Sequence, residues 1–121
     1  TAVGLVLPEL AGKVDGVALR VPTPNVSAVD LTFDAARDTS VDEINAAIVA
    51  AASGRLKGIL GTTDQANVSI DFNHDPHSAV FHLDQTRVLE GQLVRVLAWY
   101  DNEWAYALRM LDTAGAITRL A

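Results

Sequence analysis

Apolar and polar residues change period several times along this chain of 121 residues, and each change marks a predicted element. In residues 2–10, Val3, Val6, Leu7 and Leu10 share one helical face, with Pro8 inside the pattern to kink or fray it and Gly12 as a stop. Residues 14–21 alternate Val17, Leu19 and Val21 against Ala18 and Arg20, which predicts a strand. Pro22 and Pro24 interrupt it, because proline cannot donate to a central ladder. A second strand is predicted over 26–33, with Val29, Leu31 and Phe33 facing one way. Ser40 and Glu43 have capping-box spacing ahead of Val41, Ile44 and Ile48, so a helix is predicted there, ending at Gly54. Residues 67–72, 78–83 and 92–100 alternate as three more strands, the last two separated by a polar turn over 84–91. From Asn102 the period is helical again, with Trp104, Leu108 and Leu111 on one face until Gly115. Strand runs punctuated by helices predict an α+β fold, a largely antiparallel or mixed sheet with helices packed on it.

Composition narrows the function classes. The length suits one domain over residues 1–121. Lys plus Arg is 9 and Asp plus Glu is 15, giving a net charge of −6 with no basic run. Nucleic acid and anionic membrane need clustered positive charge, so neither is an expected partner. Pro8, Glu9 and Arg95 break the apolar stretches, so no membrane span is expected. The chain has no cysteine, which removes disulfides, thiolate metal sites and cysteine nucleophiles, and fits a cytoplasmic setting. It starts at Thr1 and reads as part of a longer protein.

Few residues carry candidate chemistry. His74, His77 and His82 lie close in sequence, but without cysteine partners they read as surface or supporting histidines and no metal site is expected. Asp101 and Glu103 flank a helix start, where a carboxylate is favoured by unpaired N–H groups. No glycine-rich phosphate loop and no serine nucleophile arrangement are present. Arg20 has two readings: a solvent-facing arginine, or an anion clamp stiffened by the Pro22-Thr23-Pro24 turn. The segment Trp99-Tyr-Asp-Asn-Glu-Trp104 holds both tryptophans of the chain. Its residue types favour core packing and a helix cap, yet the Asn102 amide offers the donor and acceptor that a carboxamide ligand would need.

The words LRVPTPNVSAVDLTF, LKGILG, DFNHDPHSAVF and WYDNEW occur in that order. Together they resemble the C-terminal half of phosphorylating glyceraldehyde-3-phosphate dehydrogenases, with erythrose-4-phosphate dehydrogenases as close relatives. The resemblance implies an α+β catalytic domain, incomplete at its N-terminus and lacking the coenzyme-binding domain. It implies an NAD-dependent oxidoreductase of glycolysis and gluconeogenesis acting on a phosphorylated aldehyde. On the matching positions, Arg20 would bind phosphate, Asn102 would hydrogen-bond the nicotinamide carboxamide and Tyr106 would lie beside the nicotinamide ring. The family's nucleophilic cysteine and histidine base have no counterpart here, so no catalytic residue is assigned and the isolated chain is expected to be inactive and to bind NAD weakly or not at all. The implied partners are the missing coenzyme domain and further copies in a homo-oligomer. The alternatives are an erythrose-4-phosphate dehydrogenase fragment or a non-catalytic assembly or binding module that keeps the fold. The family usually has Gly and Asn where this chain has Ala105 and Leu108, and GYTEEPLVS where residues 61–69 read GTTDQANVS.

Overall fold

A computed structural model describes residues 3–120. The elements run α1 (Val3–Val6), β1 (Ser27–Asp34), α2 (Val41–Ser53), β2 (Leu60–Thr63), β3 (Ala79–His82), β4 (Arg87–Leu89), β5 (Leu93–Tyr100) and α3 (Trp104–Leu120), with short 3-10 turns at Pro8–Leu10, Ser69–Phe72 and Leu83–Gln85. The fold is α+β, as the alternation predicts.

The sheet is mixed, in the order β1-β5-β3-β2, with β4 also paired to β5. Strand β5 is the spine. It pairs antiparallel with the whole of β1, from Ser27 opposite Tyr100 to Asp34 opposite Leu93. Its C-terminal end pairs with β3 through Trp99 opposite Val80, and its N-terminal end with β4 through Val88 opposite Val94. Strand β2 runs parallel to β3. Glu90 and Gly91, both with positive φ, turn β4 into β5, and Gln92 N–H closes the turn on Leu89 C=O at 3.2 Å. Paired positive φ values match the right-handed twist of a tight hairpin, and glycine adopts one of them without steric cost.

The core sits where β5 meets β3. Val26, Phe72 and Val80 are buried together with Trp99 packed against them, and Phe72 stacks on Trp99 with ring centroids 5.4 Å apart. Trp99 also donates its indole N–H to His82 Nδ1 at 3.0 Å. That leaves Nε2 as the protonated nitrogen of His82, donating to Gln65 C=O at 2.9 Å. His82 is therefore a buried structural residue and not a surface one. His77 lies outside β3, with its backbone N–H and its ring Nδ1 both directed at Asp75 Oδ1 at 2.8 Å. Buried Thr86 and half-buried Asn45 tie α2 to the turn between β3 and β4: Thr86 Oγ1 donates to Asn45 Oδ1 at 2.8 Å, and Asn45 Nδ2 donates to Leu83 C=O at 3.0 Å.

Several predicted elements differ from the observed ones. Residues 14–21 form no ladder, and Val17, Leu19 and Val21 are exposed, with no strand among the described residues beside them to pair with. Residues 67–72 do not form a strand: the Asp71 carboxylate accepts from Val68 N–H at 2.8 Å and curls the segment into a 3-10 turn that delivers Phe72 to the core. Ser40 caps α2 by accepting from Glu43 N–H at 3.2 Å, but the second half of the capping box is absent. The Glu43 carboxylate instead takes the Arg37 guanidinium and the Thr39 hydroxyl, and the charge-assisted partner prevails over a neutral N–H. Helix α3 passes through Gly115 to Leu120, five residues beyond the expected stop. Helix α1 ends at Val6 and a 3-10 turn starts on Pro8, which is the fraying that proline predicts; Ala2 lies outside the described residues.

Candidate functional site at the strand-to-helix junction

The polar groups of the chain converge where β5 ends and α3 begins. Asp101 is 2% exposed and serves as the N-cap of α3. Its Oδ1 accepts from Glu103 N–H at 3.0 Å and Trp104 N–H at 2.9 Å. Its Oδ2 accepts from His74 N–H at 2.9 Å and from Asn25 Nδ2 at 2.8 Å. The same Asn25 amide donates to Asn73 Oδ1 at 2.9 Å. One carboxylate thus joins the start of β1, the loop before β3 and the first turn of α3. Burial pushes the Asp101 carboxyl up, but the N–H groups of Trp104, His74 and Glu103 and the Asn25 amide outweigh it and hold the group below the ordinary carboxylate range.

Two residues beside this clasp carry left-handed backbone. Val26 has φ 72° and His74 has φ 62°. A β-branched side chain in that region is a costly arrangement that persists only where surrounding contacts fix it. Here Val26 is buried in the core, while its neighbours Asn25 and Ser27 bond to Asp101 and Asn102. His74 reaches Asp101 through its backbone and stacks its ring on Trp104, with centroids 4.3 Å apart.

Asn102 follows directly and is exposed. Its Oδ1 accepts from Ser27 Oγ at 3.0 Å, and its Nδ2 donates to the same oxygen at 2.7 Å. Tyr106 lies four residues on, in the first turn of α3, and is 67% exposed; among the described residues no hydrogen bond joins its side chain to Asn102. Arg20 is exposed on the irregular segment before β1, and among the described residues no hydrogen bond or ion pair ties it to either. The turn after it is closed by Thr23 N–H donating to Val21 C=O at 2.8 Å. His74 reads from the sequence as a surface or supporting histidine, whereas Asn25 and Ser27 are not singled out there as site residues. Their signal, a polar residue on each side of Val26, acquires meaning only once β1 is registered against β5.

A separate open cleft of about 410 Å3 lies between α2 and β2, lined by residues including Ser53, Thr62, Asp75 and His77. None of Arg20, Asn102 and Tyr106 lines it.

The mixed sheet with its flanking helices and a polar clasp at the β5–α3 junction defines an α+β domain of the catalytic-domain type suggested by the sequence words. A family model described as "Glyceraldehyde 3-phosphate dehydrogenase, C-terminal domain" matches residues 1–102, and the chain belongs to that family. It is 70% identical over 119 residues to glyceraldehyde-3-phosphate dehydrogenase of Cereibacter sphaeroides and 71% identical over 119 residues to that of Xanthobacter flavus, each match covering 98% of this chain and 36% of the relative. The enzyme of Zymomonas mobilis is 55% identical over 119 residues, covering 98% of this chain and 35% of the relative. The chain spans about a third of the length of the curated relatives it matches. Among the described residues, no helix is long and apolar enough to cross a membrane.

Proposed function

We propose that this chain is the part of an NAD-dependent phosphorylating glyceraldehyde-3-phosphate dehydrogenase that supplies nicotinamide and phosphate contacts. The observation that carries the reading is Asn102, an exposed amide bonded to Ser27 at a strand-to-helix junction, directly after the buried, multiply bonded Asp101. The residues fit the group. An amide can hydrogen-bond a carboxamide, and the exposed ring of Tyr106, four residues on, offers an aromatic surface. NAD, when bound, supplies the hydride acceptor. Arg20 holds the phosphate of the substrate or the attacking inorganic phosphate, and its exposure on a turn stiffened by two prolines supports that role. The nucleophile, the general base and the coenzyme domain come from outside residues 1–121, consistent with relatives about three times as long. With no cysteine in the chain, no thioester forms here and the domain alone produces no NADH.

Two other readings keep the same fold. An erythrose-4-phosphate dehydrogenase domain would use Arg20 and Asn102 in the same way. A non-catalytic assembly module is favoured by the exposed apolar row Val29, Leu31 and Phe33 on β1.

The test is an NMR titration of the chain, segmentally labelled and joined to a coenzyme-binding domain, since the chain alone is expected to bind NAD weakly or not at all. Millimolar NAD+ is expected to move the resonances of Asn102 and Tyr106, and inorganic phosphate those around Arg20, with Arg20→Ala abolishing the second response and leaving the fold intact. Silence of Asn102 and Tyr106 toward NAD+ would overturn the nicotinamide reading; silence toward phosphate would overturn the role of Arg20.

A further inference from the structure

The Asn102 amide does not present its paired donor–acceptor edge to a ligand, because Ser27 already occupies it. The two heavy atoms of a primary amide are about 2.3 Å apart, as the C=O and C–N bond lengths require. Ser27 Oγ is 3.0 Å from Oδ1 and 2.7 Å from Nδ2. An oxygen within hydrogen-bonding distance and angle of both lies close to the amide plane, on the side facing away from Cγ. That is the edge through which an asparagine makes paired donor–acceptor contacts. Exchanging the oxygen and nitrogen of the amide leaves the argument unchanged, because a hydroxyl both donates and accepts.

The hydroxyl is itself held firmly. Ser27 is the first residue of the β1–β5 ladder, opposite Tyr100. Val26 before it is buried with a left-handed backbone, and Asn25 before that is bonded to Asp101 and Asn73. Asn102, for its part, follows the buried cap residue Asp101. Both partners are thus anchored through their backbones to the same clasp.

We infer that Ser27 is a positioning residue for nicotinamide recognition: it fixes the plane of the Asn102 amide and takes up its paired edge, so that a ligand carboxamide is met only by the outer N–H or the outer oxygen lone pair and not by both through one edge. The inference rests on the nicotinamide reading of Asn102. It adds that Ser27, a residue which need not touch the coenzyme, sets how the coenzyme is read.

The experiment compares wild type, Ser27→Ala and Ser27→Thr, in the same joined protein, by following the Asn102 side-chain NH2 resonances, with and without NAD+. Circular dichroism and the Trp99 indole resonance verify that each variant is folded. Without coenzyme, Ser27→Ala is expected to move the Asn102 NH2 pair and bring its two protons closer in shift, while Ser27→Thr, which keeps the hydroxyl on a residue suited to strands, restores the wild-type pattern. With NAD+, Ser27→Ala is expected to weaken the response at Asn102 about fivefold, the effect of losing one ordinary hydrogen bond, and Ser27→Thr to recover it. Unchanged Asn102 NH2 resonances in Ser27→Ala overturn the inference. Tighter NAD+ binding by Ser27→Ala also overturns it, because the hydroxyl would then be competing with the ligand for that edge. A wild-type chain whose Asn102 ignores NAD+ fails at the prior step and overturns the nicotinamide reading itself, whatever Ser27→Ala does to the amide.

Discussion

Asp101 carries more of the junction than any neighbour, and its energetics follow from its four partners. Removing an N-cap carboxylate costs about 1 kcal/mol, and stranding the amide donors that it satisfied costs about 1–3 kcal/mol more. Asp101→Ala is therefore expected to lower unfolding free energy by about 2–4 kcal/mol in urea titrations, and Asp101→Asn by less, since an amide oxygen still accepts. The pH dependence has a definite sign. The folded-state carboxyl titrates below its ordinary range, so its stabilisation is complete above the unfolded-state value of about 3.9 and is lost as pH falls through the folded-state value. Acid titration of Asp101→Asn should accordingly show a shallower loss of stability below pH of about 4 than wild type. At this scale the sequence was informative about residue types and silent about partners. The acid at a helix start was legible from the N-terminal preference for carboxylates, and Asp101 caps as that preference requires. Asn25, 76 positions away, was not, because nothing local encodes the register that brings β1 beside β5.

Elements were readable in proportion to how far their local signals act alone. Helix α2 has a serine cap, good helix formers and a terminal glycine, and it starts at Val41 as those signals predict. Strands β1 and β5 have eight residues each, long enough for alternation to emerge. Strands β2 and β4 have four and three residues, too few for a period, and their pairing partners decide them. Segment 14–21 makes the opposite case: alternation without a neighbouring strand produces no strand. Helix α3 continues past Gly115 because helix-forming alanines flank it and the energy lost to one glycine is only about 1 kcal/mol. It is docked near its start by Arg109, whose guanidinium donates to Pro76 C=O and Ser78 Oγ, both at 3.3 Å. A Cβ at position 115 would meet only the end of the Arg119 side chain, at 3.6 Å. Gly115→Ala is therefore expected to stabilise the chain by up to about 1 kcal/mol, measured by thermal or urea unfolding.

On the scale of the whole molecule, the sheet leaves apolar surface in the open. On β5, Trp99 is occupied by Phe72 and His82. The more continuous exposed row is Val29, Leu31 and Phe33, at 49%, 43% and 41% exposure, on the edge strand β1. Edge strands and apolar rows of this kind drive association between chains. A charge of −6 slows indiscriminate aggregation without preventing a specific two-fold contact. Light scattering at several dilutions is expected to report a dimer or a tetramer at high concentration, and Leu31→Glu to shift the equilibrium toward monomer. A wild-type mass that stays at 12.9 kDa would rule this out.

The two tryptophans stand in very different surroundings: Trp99 is packed between Phe72 and His82 with its indole N–H bonded, while Trp104 is 44% exposed and stacked on His74 at the junction. The molecule thereby carries two optical reporters of its own. Emission from Trp99 follows integrity of the core and is less open to dissolved iodide, whereas the more exposed Trp104 emits at longer wavelength and meets the quencher more readily. A coenzyme seated at the junction would dim or shield the second signal and leave the first alone, so an ordinary fluorimeter can tell occupation of the site from loss of the fold.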